Sequence, residues 1–178
     1  MTLVSPTELT ADGVVLRRFV PGDGAAFGDF MARPENTRFM TFPEEMRNRQ
    51  AGAQIVAETI AAYANPGAAM ALAICRPDDR TIIGACGAFE TGETEIEIFY
   101  LVFERYRGCG YAKAAAKALV RHFRRTKPQH DLTARVDQEH SVSKLILEGL
   151  GFVDSGPCTV NGRPSRLMLL KCRPRSVT

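Results

Sequence analysis

An α/β domain on a mixed sheet, antiparallel strands first and then a β-α-β-α-β run, is what the sequence predicts. Three observations carry this reading. Between residues 69 and 103 lie three strand-like runs with very short connections, which favour antiparallel neighbours. After Gly108-Cys109-Gly110 the apolar period becomes helical, with Ala112, Ala115, Ala116, Leu119, Val120 and Phe123 on one stripe. Beyond that stripe, short apolar runs alternate with one more helical pattern. The 178 residues, 45% of them hydrophobic, suit one domain over residues 1–178.

Gly13 to Phe19 reads as a first strand, stopped by Pro21-Gly22-Asp23-Gly24. Residues 23–32 form a short helix that Pro34 ends. Glu44 to Tyr63 is helical, with Ile55, Val56, Thr59, Ile60 and Tyr63 on one face, and Asn65-Pro66-Gly67 closes it. Ala69–Cys75 and Thr81–Phe89 are strands separated by the turn sequence Arg76-Pro77-Asp78-Asp79-Arg80, and Glu93–Phe103 is the next strand. The helix after the glycines ends at Lys127-Pro128. Asp131–Val136 is a strand, Ser141–Leu150 a helix ending before Gly151, and Phe152-Val153 a short strand. Asn161-Gly162 is a two-residue hairpin turn leading into a strand over Arg166–Lys171.

Composition excludes several classes. No apolar run approaches the ~20 residues of a membrane helix, and the start MTLVSPTELTADG lacks a signal-peptide pattern. The five scattered cysteines include no C-x-x-C pair, and the three histidines have no ligand spacing. A metal site or disulfide framework is therefore not expected, the cysteines read as small buried hydrophobes, and a cytoplasmic setting fits.

The chemistry concentrates in Glu93–Phe123. A glycine-rich turn lets backbone N–H groups converge where a helix presents its orphan donors and positive dipole end, a geometry that binds phosphate or pyrophosphate. Gly108 and Gly110 are the positions where a Cβ would block close approach. The plainer alternative, a turn that needs positive φ, stays open. Neither G-x-x-x-x-G-K-[ST] nor the third glycine of G-x-G-x-x-G is present, since residue 113 is Lys. That disfavours a nucleoside-triphosphatase.

The stretch Glu97-Ile98-Phe99-Tyr100-Leu101-Val102-Phe103-Glu104-Arg105-Tyr106-Arg107-Gly108-Cys109-Gly110-Tyr111-Ala112 resembles the acetyl-CoA motif of the GNAT N-acetyltransferases, Q/R-x-x-G-x-G/A, through Arg105, Gly108 and Gly110. The branch it looks most like is the RimJ/RimL type, which acts on ribosomal-protein N-termini. The opening Val15-Leu16-Arg17-Arg18-Phe19, the segment Ser143 to Phe152 and the final Asn-Gly hairpin agree with that branch. The resemblance spans roughly residues 13–172 and implies a single GNAT-type domain with that core: a mixed, mostly antiparallel sheet flanked by helices, with its fourth and fifth strands splayed. It implies acetyl-CoA as co-substrate, a primary amine as acceptor, no metal, no nucleic-acid or membrane partner and, by analogy alone, a homodimer.

By the same resemblance, freed backbone groups of Leu101, Val102 and Phe103 would pair with the amide arm of CoA, and the Leu101 N–H or a neighbour would polarise the thioester carbonyl. The N–H groups of Arg107, Gly108, Cys109, Gly110, Tyr111 and Ala112 would hold the pyrophosphate. Glu97 is the candidate base, since an ammonium cannot attack a thioester and must lose a proton. Glu93, Glu95 and Glu97 share one strand face, and a merely solvated face suits the first two well. The family's helix tyrosine is Leu147 here, which leaves Ser143 as the acid for the departing thiolate, or as a first-turn serine bonding backbone. The family asparagine is His140, either a substitute CoA donor or an exposed helix-start residue. Cys109 as a covalent nucleophile is disfavoured, because direct attack needs none. Tyr106, Tyr111 and the Phe39-Met40-Thr41-Phe42-Pro43 stretch could line an acceptor pocket or simply pack.

Charge is divided along the chain. Residues 78–104 carry the acids Asp78, Asp79, Glu90, Glu93, Glu95, Glu97 and Glu104 against Arg80 alone, while residues 105–127 carry eight bases and no acid. Of those bases, Lys113, Lys117, Arg121 and Arg125 recur every fourth residue as a solvated face. An anionic donor and a cationic acceptor would each suit one block. A non-catalytic acyl-CoA-binding module is the competing class, and the absent tyrosine and asparagine keep it open. Nucleic-acid binding is discouraged because aromatic and basic residues are not interleaved.

Overall fold

Eight strands form one sheet in the computed structural model, which describes residues 3–40, 42–65, 67 and 69–172. The strands are β1 (Glu8–Ala11), β2 (Val14–Arg17), β3 (Ala69–Cys75), β4 (Ile82–Gly92), β5 (Glu95–Val102), β6 (Asp131–Asp137), β7 (Val153–Val160) and β8 (Arg163–Leu170). The helices are α1 (Asp23–Met31), α2 (Pro34–Thr37), α3 (Arg49–Ala62), α4 (Tyr111–Thr126) and α5 (Ser141–Gly149). Spatial order is β1-β2-β3-β4-β5-β6-β8-β7, and β5 with β6 is the parallel pair in an otherwise antiparallel sheet. This is the mixed, mostly antiparallel sheet flanked by helices that the sequence predicts.

Strand alternation sorts apolar residues onto two cores. Val14, Leu16, Leu72, Ile74, Ile96, Ile98 and Val102 face α4 and α5, where Ala115, Leu119, Phe123 and Leu147 meet them. Val15, Ala73, Cys75 and Phe103 face the other way, onto Phe27, Phe30 and Met31 of α1 and Val56 of α3. Burying roughly a dozen large side chains per face, at about 1.5–3 kcal/mol each before entropy, makes the sheet the rigid frame of the molecule. The basic residues Lys113, Lys117, Arg121 and Arg125 lie on the exposed side of α4, and Lys117 is 3.2 Å from Asp12. Where α1 crosses α3, a Cβ on Gly52 would lie 2.7 Å from the Gly28 Cα, so this crossing requires glycine on both helices.

Element boundaries match the sequence reading closely through β3, α4, β6 and α5. Four differences have local causes. β1 is an added edge strand of alternating exposure, with only Leu9 and Ala11 turned inward. Pro34 does not merely stop α1 but opens the short α2 at its first position. The segment before α3 is a 3-10 turn over Glu44–Met46, and Asn48 caps α3 by accepting from the Ala51 N–H at 2.9 Å. β7 runs to Val160 although it contains Gly156 and Pro157, because an edge strand accommodates them at a register shift between Asp154 and Pro157. Asn161 and Gly162, at φ 47° and 79°, form the expected two-residue hairpin turn. Pro66 lies outside the described residues.

The parallel pair positions the site. β5 and β6 pair at Glu95↔Asp131, Ile96↔Leu132 and Glu97↔Thr133. Beyond that register β5 stays with β4 as far as Val102, and β6 stays with β8 as far as Asp137. The sheet therefore opens into a wedge. Its walls are the fourth and fifth of the expected strands, numbered one higher here because of β1. Among the described residues no helix is long and apolar enough to cross a membrane.

Candidate functional site

The open edge of β5 follows from backbone alternation. Thr94 O accepts the Asp131 N–H from the β6 side at 2.9 Å, and the Phe103 N–H reaches across β4 to Ile83 O at 2.8 Å. Even-numbered residues of β5 thus direct their backbone groups at β6 and odd-numbered ones at β4. Past Glu97 the row facing the wedge is Ile98, Tyr100 and Val102. This corrects the expected trio: Leu101 and Phe103 point their N–H groups at β4, and Val102 alone of the three faces the wedge. Tyr100 belongs to the row and was not singled out from the sequence.

At the tip of β5 the chain makes a 3-10 turn, Glu104–Tyr106, and the Arg107 N–H donates to Glu104 O at 3.0 Å. That amide is committed, so Arg107 drops out of the expected N–H cradle. Gly108 and Gly110 have φ of +78° and +81°, and Gly110 is the left-handed residue that opens α4. Gly110 O accepts the first helical bond from the Ala114 N–H at 3.0 Å, which leaves the Tyr111, Ala112 and Lys113 N–H groups as orphan donors at the positive end of the helix. A Cβ at either glycine would meet no protein atom within 4 Å. The turn therefore needs glycine for its φ, and its outer surface is open to a ligand. Cys109 is exposed, with its thiol 3.7 Å from Arg107 O.

The Arg107 side chain braces the turn. Its Nε donates to Val102 O at 3.2 Å and its Nη2 reaches Asn36 Oδ1 at 3.4 Å. The buried Asn36 also accepts from the Glu104 N–H at 3.1 Å and donates to Phe30 O at 3.2 Å, tying α2 to the start of the turn. Arg105, exposed, lies over the Tyr106 ring at 4.8 Å.

Glu97 sits at the last paired position before the wedge, with its side chain on the α1–α3 face. It is ion-paired with Arg135 of β6, so the carboxylate spans the two walls. Glu95 instead accepts from Thr91 Oγ1 at 2.8 Å and from Thr133 Oγ1 at 3.4 Å, while Glu93 falls in the β4–β5 turn and is exposed. Phe99 stacks on Phe89 with centroids 5.1 Å apart, and Phe89, 45% exposed, gives this side of the wedge an apolar surface beside Glu97.

On the opposite face, Ser143 is buried in the first turn of α5 with its Oγ 2.9 Å from the Tyr100 hydroxyl. Burial pushes the Tyr100 phenol up to about 12, against the opposing effect of its bond to Ser143. Leu147 is a fully buried core residue. His140 precedes α5, its ring stacked on Phe39 at 4.3 Å and 9°. Burial, and then the charge of Arg107, hold its pKa below the usual histidine value, with Asp137 opposing. The same corner is clamped by Arg163, which pairs with Asp137 at 2.6 Å and donates to Arg38 O at 2.6 Å.

Of the acceptor-pocket candidates, Phe39 meets His140, Met40 and Phe42 pack on the α1–α3 core, and Pro43 is exposed. Tyr106 touches both cores and Tyr111 the α4–α5 core. Thr41 lies outside the described residues. Cys75 and Cys86 are buried as expected, but Cys109 is exposed and Cys158 and Cys172 are half-buried. No group of three or more His, Cys, Asp or Glu gathers among the described residues as a metal would require.

The wedge thus joins an extended backbone edge to a helix start with unpaired N–H donors, with a carboxylate on one face and a hydroxyl pair on the other. Residues 14–153 match the sequence profile of the acetyltransferase (GNAT) domain family. An acetyltransferase (GNAT family) from Bacillus anthracis shares the fold with a TM-score of 0.78 at 16% identity, over 92% of this chain and 98% of that one. RimL, a ribosomal L7/L12 alpha-N-protein acetyltransferase in complex with coenzyme A, does so at 0.77 and 14%, over 92% and 97%. Mycobacterium smegmatis RimJ in complex with CoA-disulfide does so at 0.74 and 22%, over 92% and 85%. No curated protein matches the chain in sequence.

Proposed function

The chain belongs to the GNAT acetyltransferase family, whose members are acetyl-CoA-dependent acetyltransferases, and from that premise we propose that it acetylates a primary amine by direct attack. The acceptor is a protein N-terminal amine or a small-molecule amine. The observation that carries the reading is the wedge between β5 and β6, with a carboxylate at its apex and an orphan-donor helix start at its mouth. The CoA-bound states of RimL and RimJ support acetyl-CoA as the donor. RimL, which shares this fold, is an alpha-N-protein acetyltransferase, and that favours the N-terminal amine within the two acceptor classes. Cytoplasmic action, a homodimeric state and the absence of a resident metal belong to the same proposal.

Residue roles follow from position. The N–H groups of Tyr100 and Val102 pair with the amide arm of CoA as a neighbouring strand would. Those of Gly108 to Ala112 receive the pyrophosphate. His140, at the start of α5, is a further CoA contact. Glu97 takes the proton from the acceptor ammonium, directly or through water, and Arg135 fixes the direction of its carboxylate. The neutral amine attacks the thioester carbonyl carbon, the C–S bond breaks with its electron pair leaving on sulfur, and the nitrogen, cationic after attack, releases its surplus proton to solvent. Ser143 offers the departing thiolate a hydrogen bond. Cys109 needs no covalent role.

A thiol-release assay with acetyl-CoA, a panel of amines and N-terminal peptides tests this. Wild type releases CoA with at least one acceptor, and Glu97→Gln lowers kcat by roughly 10²- to 10³-fold. Tight acetyl-CoA binding with no turnover on any acceptor contradicts the proposal and supports a binding module instead.

A further inference from the structure

We propose that Tyr100 is a positioning residue, whose hydroxyl fixes the Ser143 side chain so that the Ser143 O–H points into the wedge and meets the thiolate leaving acetyl-CoA. This rests on the role given to Ser143 above and adds the residue that makes that role specific.

Tyr100 shares the row of β5 that faces the wedge, and its ring packs with the α4–α5 core. Its hydroxyl meets a single residue of α5 twice, at 2.9 Å to Ser143 Oγ and 3.3 Å to Ser143 O. A phenol and a serine hydroxyl hold one proton each, so the pair has two arrangements. In one, the phenol donates to the Ser143 carbonyl and the serine spends its own proton on the phenol oxygen, leaving nothing for a ligand. In the other, the phenol donates to Oγ and the serine proton stays free. Both use the 2.9 Å contact between the hydroxyls; the first adds only a longer, 3.3 Å bond to a carbonyl that already belongs to the hydrogen-bond ladder of α5, so an anion in the wedge draws the pair into the second. Burial raises the Tyr100 phenol, so it remains a proton donor throughout the neutral range.

Ser143 is the third residue of α5, inside the turn whose N–H groups and dipole favour an anion. The chemistry there is hydrogen bonding to a charge. As the C–S bond breaks the electron pair remains on sulfur, Ser143 O–H donates to that sulfur, and solvent later supplies the proton of the free thiol.

The test is the ionisation of CoA bound to the enzyme, followed by thiolate ultraviolet absorbance against pH. The expected midpoint for wild type lies below that of free CoA. Ser143→Ala raises it by about one pH unit, the worth of a hydrogen bond to a charged group. Tyr100→Phe gives most of the same rise, the double variant goes no further than Ser143→Ala, and Ser143→Thr stays near wild type. CoA affinity at a pH where the thiol is protonated reports that the variants are folded. A normal midpoint in Tyr100→Phe beside a raised one in Ser143→Ala overturns the role of Tyr100 and leaves that of Ser143 standing. Weaker CoA binding by Tyr100→Phe at every pH with an unmoved midpoint makes the tyrosine merely structural and overturns it too. A Ser143→Ala midpoint equal to wild type removes both roles.

Discussion

The two walls of the wedge are built on different principles. The β5 wall, from Glu95 through the turn to α4, is continuous in sequence, and what it presents is mostly backbone: an unpaired strand edge, two positive-φ glycines and a helix start. The β6 wall, from Asp131 to Gly149, presents side chains whose settings come from distant segments. Ser143 meets Tyr100 of the other wall, His140 meets Phe39, Asp137 meets Arg163, and Arg135 meets Glu97. A backbone-built wall holds the part of a ligand that never varies. A side-chain-built wall can be retuned for chemistry and acceptor without disturbing the sheet.

The sharpest way to break this contrast is to damage each wall separately. Gly110→Val puts a β-branched residue at φ +81°, a strain of about 1–2 kcal/mol, and fills the open face of the turn. Titration calorimetry should find acetyl-CoA binding weaker on the order of 10²-fold, while Ser143→Ala binds within about threefold of wild type and loses turnover instead. Equal binding by Gly110→Val and wild type would dissolve the distinction.

Asn36 tests whether the turn is braced from outside its own sequence. Asn36→Ala strips the partner from the Glu104 N–H and from one arm of Arg107, and should cost about 1–3 kcal/mol, read as a melting point several degrees lower. No change in melting point would make the β5 wall self-sufficient.

The smallest effect concerns pH at the β6 wall. The pKa of His140 lies below its unfolded value, so between the two values the unfolded chain binds more protons and stability rises with pH. Its contribution is complete above the ordinary histidine value of 6.5 and is lost as the pH falls below it. Wild type should therefore lose more stability than His140→Gln between pH 7.5 and 5.5 in parallel denaturant melts. The opposite ordering would mean that the Phe39 stack prefers the charged ring.

This contrast also accounts for what the sequence made legible. The period change at Gly110 and the Asn161-Gly162 turn are local signals, and α4 and the final hairpin appear where they predict. The direction of each amide on β5 depends on which neighbour takes the odd residues, so only the pairing with β4 takes Leu101 and Phe103 out of the wedge. Arg107 read as a cradle amide because a 3-10 turn leaves no signature in Glu104-Arg105-Tyr106. Nothing local marks Tyr100, because a tyrosine in an apolar strand resembles core packing, and only the arrival of α5, 43 residues later, gives its hydroxyl a partner. The sequence carries no signal for β1 and marks β7 only at Phe152-Val153, because edge strands carry little apolar patterning and tolerate Gly156 and Pro157.

In the function proposed above, acetyl-CoA docks along the even-numbered edge of β5. Residue-resolved amide hydrogen exchange, with and without acetyl-CoA, tests it most directly. The Tyr100 and Val102 amides should gain strong protection on binding, while Phe103, already bonded across β4, and Leu101, turned the same way, should not change. Protection that appears at Leu101 and Phe103 with Tyr100 and Val102 unaltered would contradict the account.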